Sequence, residues 1–365
     1  MPHTSASCEP SSSLETPVRA TPSSSRPVLQ VHNLCVAFTR SDGQQGLAVD
    51  TVSFRVNAGQ TVCLVGESGC GKSVTAMSVP RLLPEPPARI LGGQVFFQGR
   101  DLFTLAESHL QDVRGNGIGM VFQDPMSSLN PVMRVGDQIA EGLRRHKKMP
   151  RKAALDRAIA LLEKVGFDNA DLRVRDFPHQ MSGGQRQRVM IASALACDPA
   201  LIIADEPTTA LDVTIQKQIL DLLLRLVREA GSGLLLISHD LALVAECADA
   251  VAIMYAGTIV EQGAAAEIFS APRHPYTQGL LLSREGMNKG RSPGQERVVE
   301  KNRLAAIPGT VPSLWERPEG CAFSPRCPKV MPQCLKARPP VVSLTSSPHN
   351  DTHGIPCTVA CWLMA

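Results

Sequence analysis

From Val28 to about Phe38, VLQVHNLCVAF alternates apolar and polar positions with the period-two pattern of a strand. QTVCLVG is a short apolar run that stops at Gly66, as a strand buried on both faces would. Over 151–165, RKAALDRAIALLEKV sets Leu155, Ala158, Ile159, Leu162 and Val165 on one helical face, and Gly166 follows as a C-terminal cap. ALIIADE and GLLLIS are further buried strands. Between them, DVTIQKQILDLLLRLVREAG carries a helical stripe of Ile215, Ile219, Leu222, Leu223 and Leu226, ended by Gly231. Strands alternating with helices predict an α/β fold, with a parallel sheet covered on both faces. AIMYAGTIVEQG predicts a late hairpin turning at Ala256-Gly257.

Periodicity fails at both ends of the chain. Residues 1–27 are Ser/Pro-rich and predict a disordered lead-in. Beyond about residue 283, SREGMNKGRSPGQERVVEKNR reads as a linker over 284–303. The rest, 304–365, is rich in Pro and Cys and is expected to form a separate small Cys-rich module.

Composition narrows the class. Of 365 residues, 43% are hydrophobic and 19% charged, an ordinary globular balance. The 37 basic and 34 acidic residues leave a net charge of +3, too little for the concentrated basic footprint of a nucleic-acid binder, so no nucleic-acid partner is expected. No apolar run approaches the ~18 residues a membrane helix needs. The lead-in has no apolar h-region of a secretion signal, which places the protein in the cytosol as an expectation. In that reducing setting the eleven cysteines favour metal or catalytic roles over disulfides. Cys8, Cys35, Cys63, Cys197 and Cys247 stand singly and are expected mostly as small core residues, apart from Cys8 in the lead-in.

Three stretches carry chemistry. GESGCGKS comprises Gly66, Glu67, Ser68, Gly69, Cys70, Gly71, Lys72 and Ser73, and fits G-x-x-x-x-G-K-S between a strand and a helix. Its glycines free backbone N–H groups for phosphates, Lys72 would reach the β/γ-phosphates, and the Ser73 hydroxyl would hold Mg²⁺. The bland alternative is a Gly-rich turn that matches by chance. LIIADE ends a strand with Asp205, placed to hold Mg²⁺, and Glu206, placed to orient or deprotonate a water; alone, it would be an ordinary solvated strand end. In QMSGGQRQR, Ser182, Gly183, Gly184 and Gln185 open a helix as a second anion site, or simply cap it. A second cradle has a use if it closes over a nucleotide held by another copy. Cys70, near a helix N-terminus and Lys72, is expected to have a lowered thiol pKa and to react with alkylating agents, unless it is an outward-facing spacer.

Together these stretches resemble the ATP-binding subunits of ABC transporters over about 28–283. GESGCGKS resembles their Walker A motif, LIIADE the Walker B motif, and MSGGQ the signature, with Met181 in place of the usual Leu. Gln123 in VFQDP resembles the Q-loop glutamine, Asp212 in TALD the D-loop aspartate, and His239 in ISHD the switch histidine. Phe38 resembles the aromatic that stacks on adenine, and could equally be a plain core aromatic. The resemblance implies an ABC-type P-loop NTPase core with a helical subdomain at about 124–195. It implies head-to-tail closure of two such domains, with each ATP between Gly66–Ser73 of one and Ser182–Gln185 of the other. Glu206 then acts on water, His239 contacts the γ-phosphate, and Gln123 links Mg²⁺ and water to the membrane subunits.

QDPMSSLNPVMRVGDQI, DEPTTALDVTIQKQIL and APRHPYTQGLLLS resemble the subfamily serving dipeptide, oligopeptide and nickel uptake. The implied partners are a second ATPase subunit, generally a paralogue, two integral membrane permeases, and an extracytoplasmic solute-binding protein acting through them. The implied location is peripheral, at the cytoplasmic face of the membrane. Peptide import is the leading function; nickel or another small solute is the alternative, and a soluble non-transport ABC ATPase the less favoured one. In the tail, Cys321, PRCP around Cys327, Cys334, and CWL from Cys361 offer thiolates for a soft metal, either Zn²⁺ or an iron–sulfur cluster, or merely pack a small module. The subfamily resemblance implies a [4Fe–4S] cluster on Cys321, Cys327, Cys334 and Cys361, with Cys357 competing for the fourth place.

Overall fold

The computed structural model describes residues 27–209, 211–288, 307–344 and 356–365. The expected lead-in up to residue 26, Cys8, and residues 289–303 of the expected linker lie outside the described residues. Among the described residues there are twelve strands: β1 Pro27–Thr39, β2 Gln45–Asn57, β3 Thr61–Val65, β4 Ala88–Phe97, β5 Arg100–Asp101, β6 Ile118–Val121, β7 Leu201–Asp205, β8 Gly233–Ser238, β9 Ala250–Tyr255, β10 Thr258–Ala264, β11 Val341–Ser343 and β12 Thr358–Ala360.

They form two sheets. One is a four-stranded antiparallel sheet in the order β2-β1-β4-β5; the other has eight strands in the order β11-β12-β10-β9-β3-β8-β7-β6. Within the larger sheet β9, β3, β8, β7 and β6 run parallel, as the alternation of strands and helices predicts. β3 shows why both faces are covered. Val62 and Leu64 pack into the core shared with the antiparallel sheet, while Cys63 and Val65 pack into the core on the helical side. All five β3 residues are buried, and each large apolar one contributes roughly 1.5–3 kcal/mol.

Several helices match their sequence signals. Arg151–Lys164 buries Ala154, Ala158, Leu161 and Leu162, so its buried stripe is rotated slightly from the expected one and leaves Leu155 and Ile159 partly covered. Val213–Ala230 buries Ile219, Leu222, Leu223 and Leu226 and ends at Gly231 with φ 65°. The β9–β10 hairpin turns at Ala256 and Gly257, with φ 42° and 84°. Between β6 and β7 the chain is helical, from Pro125–Ser128 to Gly183–Leu195. The helix Pro275–Asn288 runs into the first residues of the stretch expected as a linker.

The tail is not separate. β12 adds to the edge of β10 through Glu261↔Val359 and Gln262↔Thr358, and β11 adds to β12. Phe323, 2% exposed, packs edge-on against Tyr255 of β9 and beside Tyr276, with ring centroids 5.2 and 5.4 Å apart. The expected separate module is therefore corrected to a continuation of the main sheet and core. Its three-residue strands carry too little periodicity to announce a pairing partner about 100 residues away.

Candidate functional site

Four consecutive neighbours in the sheet each end in a candidate residue. Gly66–Ser73 follows β3, His239 follows β8, Asp205 and Glu206 end β7, and Gln123 follows β6. Parallel strands point the same way, so their C-terminal ends place these side chains along one edge, where open α/β sheets bind ligands.

The loop after β3 is built by its glycines. Gly69 and Gly71 have φ 79° and 103°, and a Cβ on Gly71 would come within 2.4 Å of the Ala48 carbonyl oxygen. Gly71 thereby opens the helix Lys72–Ser78. Lys72 Nζ donates to the carbonyl oxygens of Gly66 at 2.9 Å and Glu67 at 3.1 Å, and lies 3.8 Å from Glu206 Oε1. Ser68 and Gly69 are exposed at the loop tip. The Ser73 hydroxyl donates to Asp205 Oδ1 at 2.9 Å, which brings the two expected Mg²⁺ ligands together. Burial pushes the Asp205 carboxyl up, against the Ser73 hydrogen bond that holds it down.

Glu206 has φ 43°, a left-handed backbone that is uncommon outside glycine, and its N–H donates to the Ile237 carbonyl oxygen at 3.1 Å. That turn aims the carboxylate into a cluster. Oε2 accepts from Thr209 Oγ1 at 2.9 Å and Gln123 Nε2 at 3.3 Å, and lies 3.3 Å from His239 Nδ1. The arrangement is a carboxylate held at two sides by polar groups, next to a glycine-built loop and the Ser73 hydroxyl–Asp205 carboxylate pair.

Other candidates sit apart. Ser182 caps the helix Gly183–Leu195 reciprocally with Gln185: the Ser182 hydroxyl accepts from Gln185 N–H at 3.3 Å, and Gln185 Oε1 accepts from Ser182 N–H at 3.0 Å. Gly184 lies against Ile215, which a Cβ would meet at 3.1 Å. Among the described residues, Ser182, Gly183, Gly184 and Gln185 make no hydrogen bond to the loop 66–73. Asp212 caps the helix Val213–Ala230 by accepting from Ile215 N–H at 3.0 Å. Phe38 is half-buried on β1, opposite Gly46 and Ala88.

Cys70 corrects an expectation. It is 1% exposed, and burial raises its thiol pKa more than the nearby Lys72 lowers it. The helix N-terminus and Lys72 predicted an activated thiol; the tertiary packing instead buries it and disfavours the thiolate. Cys35, Cys63, Cys197 and Cys247 are buried as expected, and Cys63 and Cys247 meet each other in the core.

In the tail, Cys321, Cys327, Cys334 and Cys361 line one small pocket with His274 and Phe323. Cys357 does not line it and lies against Gly263, beside Glu267 and Glu261, where burial pushes its thiol up to about 11. Burial also raises the Cys321 thiol, and neighbouring Cys334, Cys327 and Cys361 add to the rise. Among the described residues, no three His, Cys, Asp or Glu converge to hold a single metal ion.

Sequence reasoning missed Thr209, Asp50, Tyr276 and Arg326. Arg326 and Tyr276 stand within PRCP and HPYTQGLL, stretches that signal a family but give no hint that they touch the loop after β3. Asp50, 1% exposed, receives Arg317 and Arg338 from the tail.

Comparison with known proteins agrees with this geometry. Residues 49–209 match the ABC transporter family, and residues 260–334 match the oligopeptide/dipeptide transporter C-terminal region. A putative peptide import ATP-binding protein of Brucella abortus (strain 2308) is 48% identical over 339 residues, covering 92% of this chain and 97% of that protein. The oligopeptide transport ATP-binding protein OppD of Bacillus subtilis (strain 168) is 47% identical over 337 residues, covering 92% and 89%. A dimeric structure of the ATP-binding cassette MJ0796, in a post-hydrolysis state bound to ADP and Pi, superposes with a TM-score of 0.58 at 26% identity. It covers 65% of this chain and 98% of that one.

Proposed function

The chain belongs to the ATP-binding subunits of peptide-importing ABC transporters, ATPases that energise oligopeptide import, and on that premise we propose how its residues divide the work. The phosphates of ATP lie on Gly66–Ser73 with Lys72 as the point charge. Ser73 and Asp205, with Gln123, offer the hard oxygen ligands that Mg²⁺ takes, and the ion neutralises phosphate charge when bound. Glu206 orients and deprotonates the attacking water, and His239 meets the γ-phosphate. Phe38 stacks on the adenine, and Asp212 sits at the subunit junction.

The observation that carries this reading is the Glu206 carboxylate, held by Thr209 at 2.9 Å and Gln123 at 3.3 Å beside the Ser73–Asp205 pair. A general base contributes typically about 10²–10⁴-fold. Glu206→Gln should therefore cut turnover by about that factor while ATP still binds and traps a closed dimer. Unchanged ATPase activity would remove Glu206 from the role.

Ser182–Gln185 serves a second ATPase subunit. A chain with two anion cradles that share no hydrogen bond has a use for the second only across a junction. That neighbour is proposed to be a paralogue, at the cytoplasmic face of the membrane. Peptide importers of this kind work with membrane permeases and a substrate-binding protein. Among the described residues no helix is long and apolar enough to cross a membrane. Permease contact is assigned to the groove of about 420 Å³ lined by Met120, Phe122, Leu129, Met133 and Met190, next to Gln123 and the exposed Met126 and Val132. Peptide cargo takes precedence over nickel and over a non-transport role, because the relatives named for peptide import span nearly the whole chain.

We divide the chain into a nucleotide-binding core at 28–283, with a helical subdomain at about 124–195, and a Cys-rich region at 304–365 that continues the core's sheet and is joined to it through 284–303. A [4Fe–4S] cluster on Cys321, Cys327, Cys334 and Cys361 completes the reading. Its support is an all-thiol donor set around one pocket, whose members repel one another as thiolates and would be relieved by a cation.

A further inference from the structure

Glu67 presents a problem for an anion-binding loop, because its carboxylate stands within the segment that must receive phosphates. The structure answers it from far along the chain. Arg326 Nη1 donates to Glu67 Oε1 at 3.0 Å and Oε2 at 3.1 Å, and to the Tyr255 hydroxyl at 3.4 Å. Its Nε and Nη2 donate to the carbonyl oxygens of Pro308 at 2.8 Å and Ile307 at 3.3 Å. All three guanidinium nitrogens thus donate, and the side chain is only 5% exposed. Among the described residues it is the one cation within ion-pair distance of the Glu67 carboxylate, since Lys72 is turned to the Glu67 carbonyl. The Glu67 N–H is also taken, donating to the Tyr276 hydroxyl at 3.0 Å. Tyr255, Tyr276 and Phe323 pack as one aromatic cluster beneath this contact.

We propose that Arg326 is a positioning residue of the nucleotide site: reaching across from the tail, it cancels the Glu67 charge and holds that carboxylate away from the phosphates. The remaining loop amides and Lys72 then meet ATP without the Glu67 carboxylate competing. This rests on the reading that residues 66–73 hold the phosphates. Arg326 sits in the turn Ser324–Arg326, immediately before Cys327. The tail is thereby a working part of the ATP site and not an appendage to it.

The test uses the full chain. Mg-ATP affinity, KM and kcat are measured for Arg326→Gln and Arg326→Lys, each with and without Glu67→Gln. An unneutralised carboxylate beside the phosphates should raise Kd and KM about tenfold in Arg326→Gln, with kcat changed less. Adding Glu67→Gln removes the offending charge and should recover most of the affinity, which repair of a merely structural defect would not do. Arg326→Lys keeps the charge but not the two-oxygen contact; its Kd should rise only about two- to threefold, and it keeps the test open if the Gln variant does not fold. Wild-type affinity in Arg326→Gln, no recovery in the double variant, or a Lys effect as large as that of Gln would each overturn the proposal. Failure of the wild-type chain to bind Mg-ATP would instead overturn the loop reading itself, and this proposal with it.

Discussion

Asp50→Asn tests whether the tail is locked to the nucleotide-binding core. Asp50 lies on β2 with its side chain 2% exposed, and Oδ2 accepts from Arg317 Nη1 at 2.9 Å and Arg338 Nη1 at 2.6 Å. Asparagine keeps the shape and the contact with Thr51 Oγ1 but removes the charge. The two arms are unequal. Arg317 is 12% exposed, and its burial already lowers its pKa, so the lost partner leaves a charge stranded in a poor medium. Breaking such a buried pair costs about 3–5 kcal/mol. Arg338 is 53% exposed, and solvent screening limits its share to about 0–1 kcal/mol. Taking the lower figure for the buried arm, about 3 kcal/mol, the melting point of a chain of 365 residues should fall by about 4 °C. Thermal unfolding measures this, and timed trypsin digestion should release the tail sooner than in wild type. Arg338→Ala is the internal control and should move the midpoint by no more than about 1 °C. If Asp50→Asn melts no lower than Arg338→Ala, the buried pair is not what fastens the tail.

The remaining expectations are smaller in scope. Cys70 should alkylate slowly at neutral pH, because its raised pKa keeps the thiolate scarce and the site is closed; labelling should accelerate as pH rises past the ordinary thiol range or as the protein unfolds. Fast labelling of the folded chain at pH 7, read by mass spectrometry, would contradict the packing. The proposed cluster predicts that anaerobically purified wild type carries iron and a broad visible absorption, that Cys361→Ser loses both and that Cys357→Ser retains them, because Cys357 lies off the thiol pocket. Equal iron loss in the two variants would return Cys357 to the ligand set.

Much of this protein was legible in local sequence because its signals are local. GESGCGKS needs only a strand before it and a helix after it, and β3 with the helix Lys72–Ser78 supplies both. The buried strands β7 and β8 and the helix Val213–Ala230 announce themselves through period and run length, since each buries its own residues against neighbours of the same kind. The loop 66–73 and the strand end at Asp205 and Glu206 suggested a nucleotide site from local sequence, and the family resemblance added Gln123 and His239. Their convergence, however, needed parallel strands with ends at one edge.

What the tertiary structure decided is pairwise and long-range. Cys70 has an activating neighbourhood in sequence, but burial outweighs it, and burial depends on the core it joins with Leu64, Ile237 and Met254 from β3, β8 and β9. Cys357 and Cys361 are four positions apart and chemically alike; only the course of β12 along β10 puts one at the thiol pocket and the other beside Glu267. Arg326 and Glu67 are 259 positions apart, and no local pattern links two ordinary charged residues at that distance. Periodicity records which side of an element a residue faces, and motif spacing records what a short loop can hold. Neither records which distant charge a carboxylate meets, because that is settled by how the sheet edges and the tail close on one another.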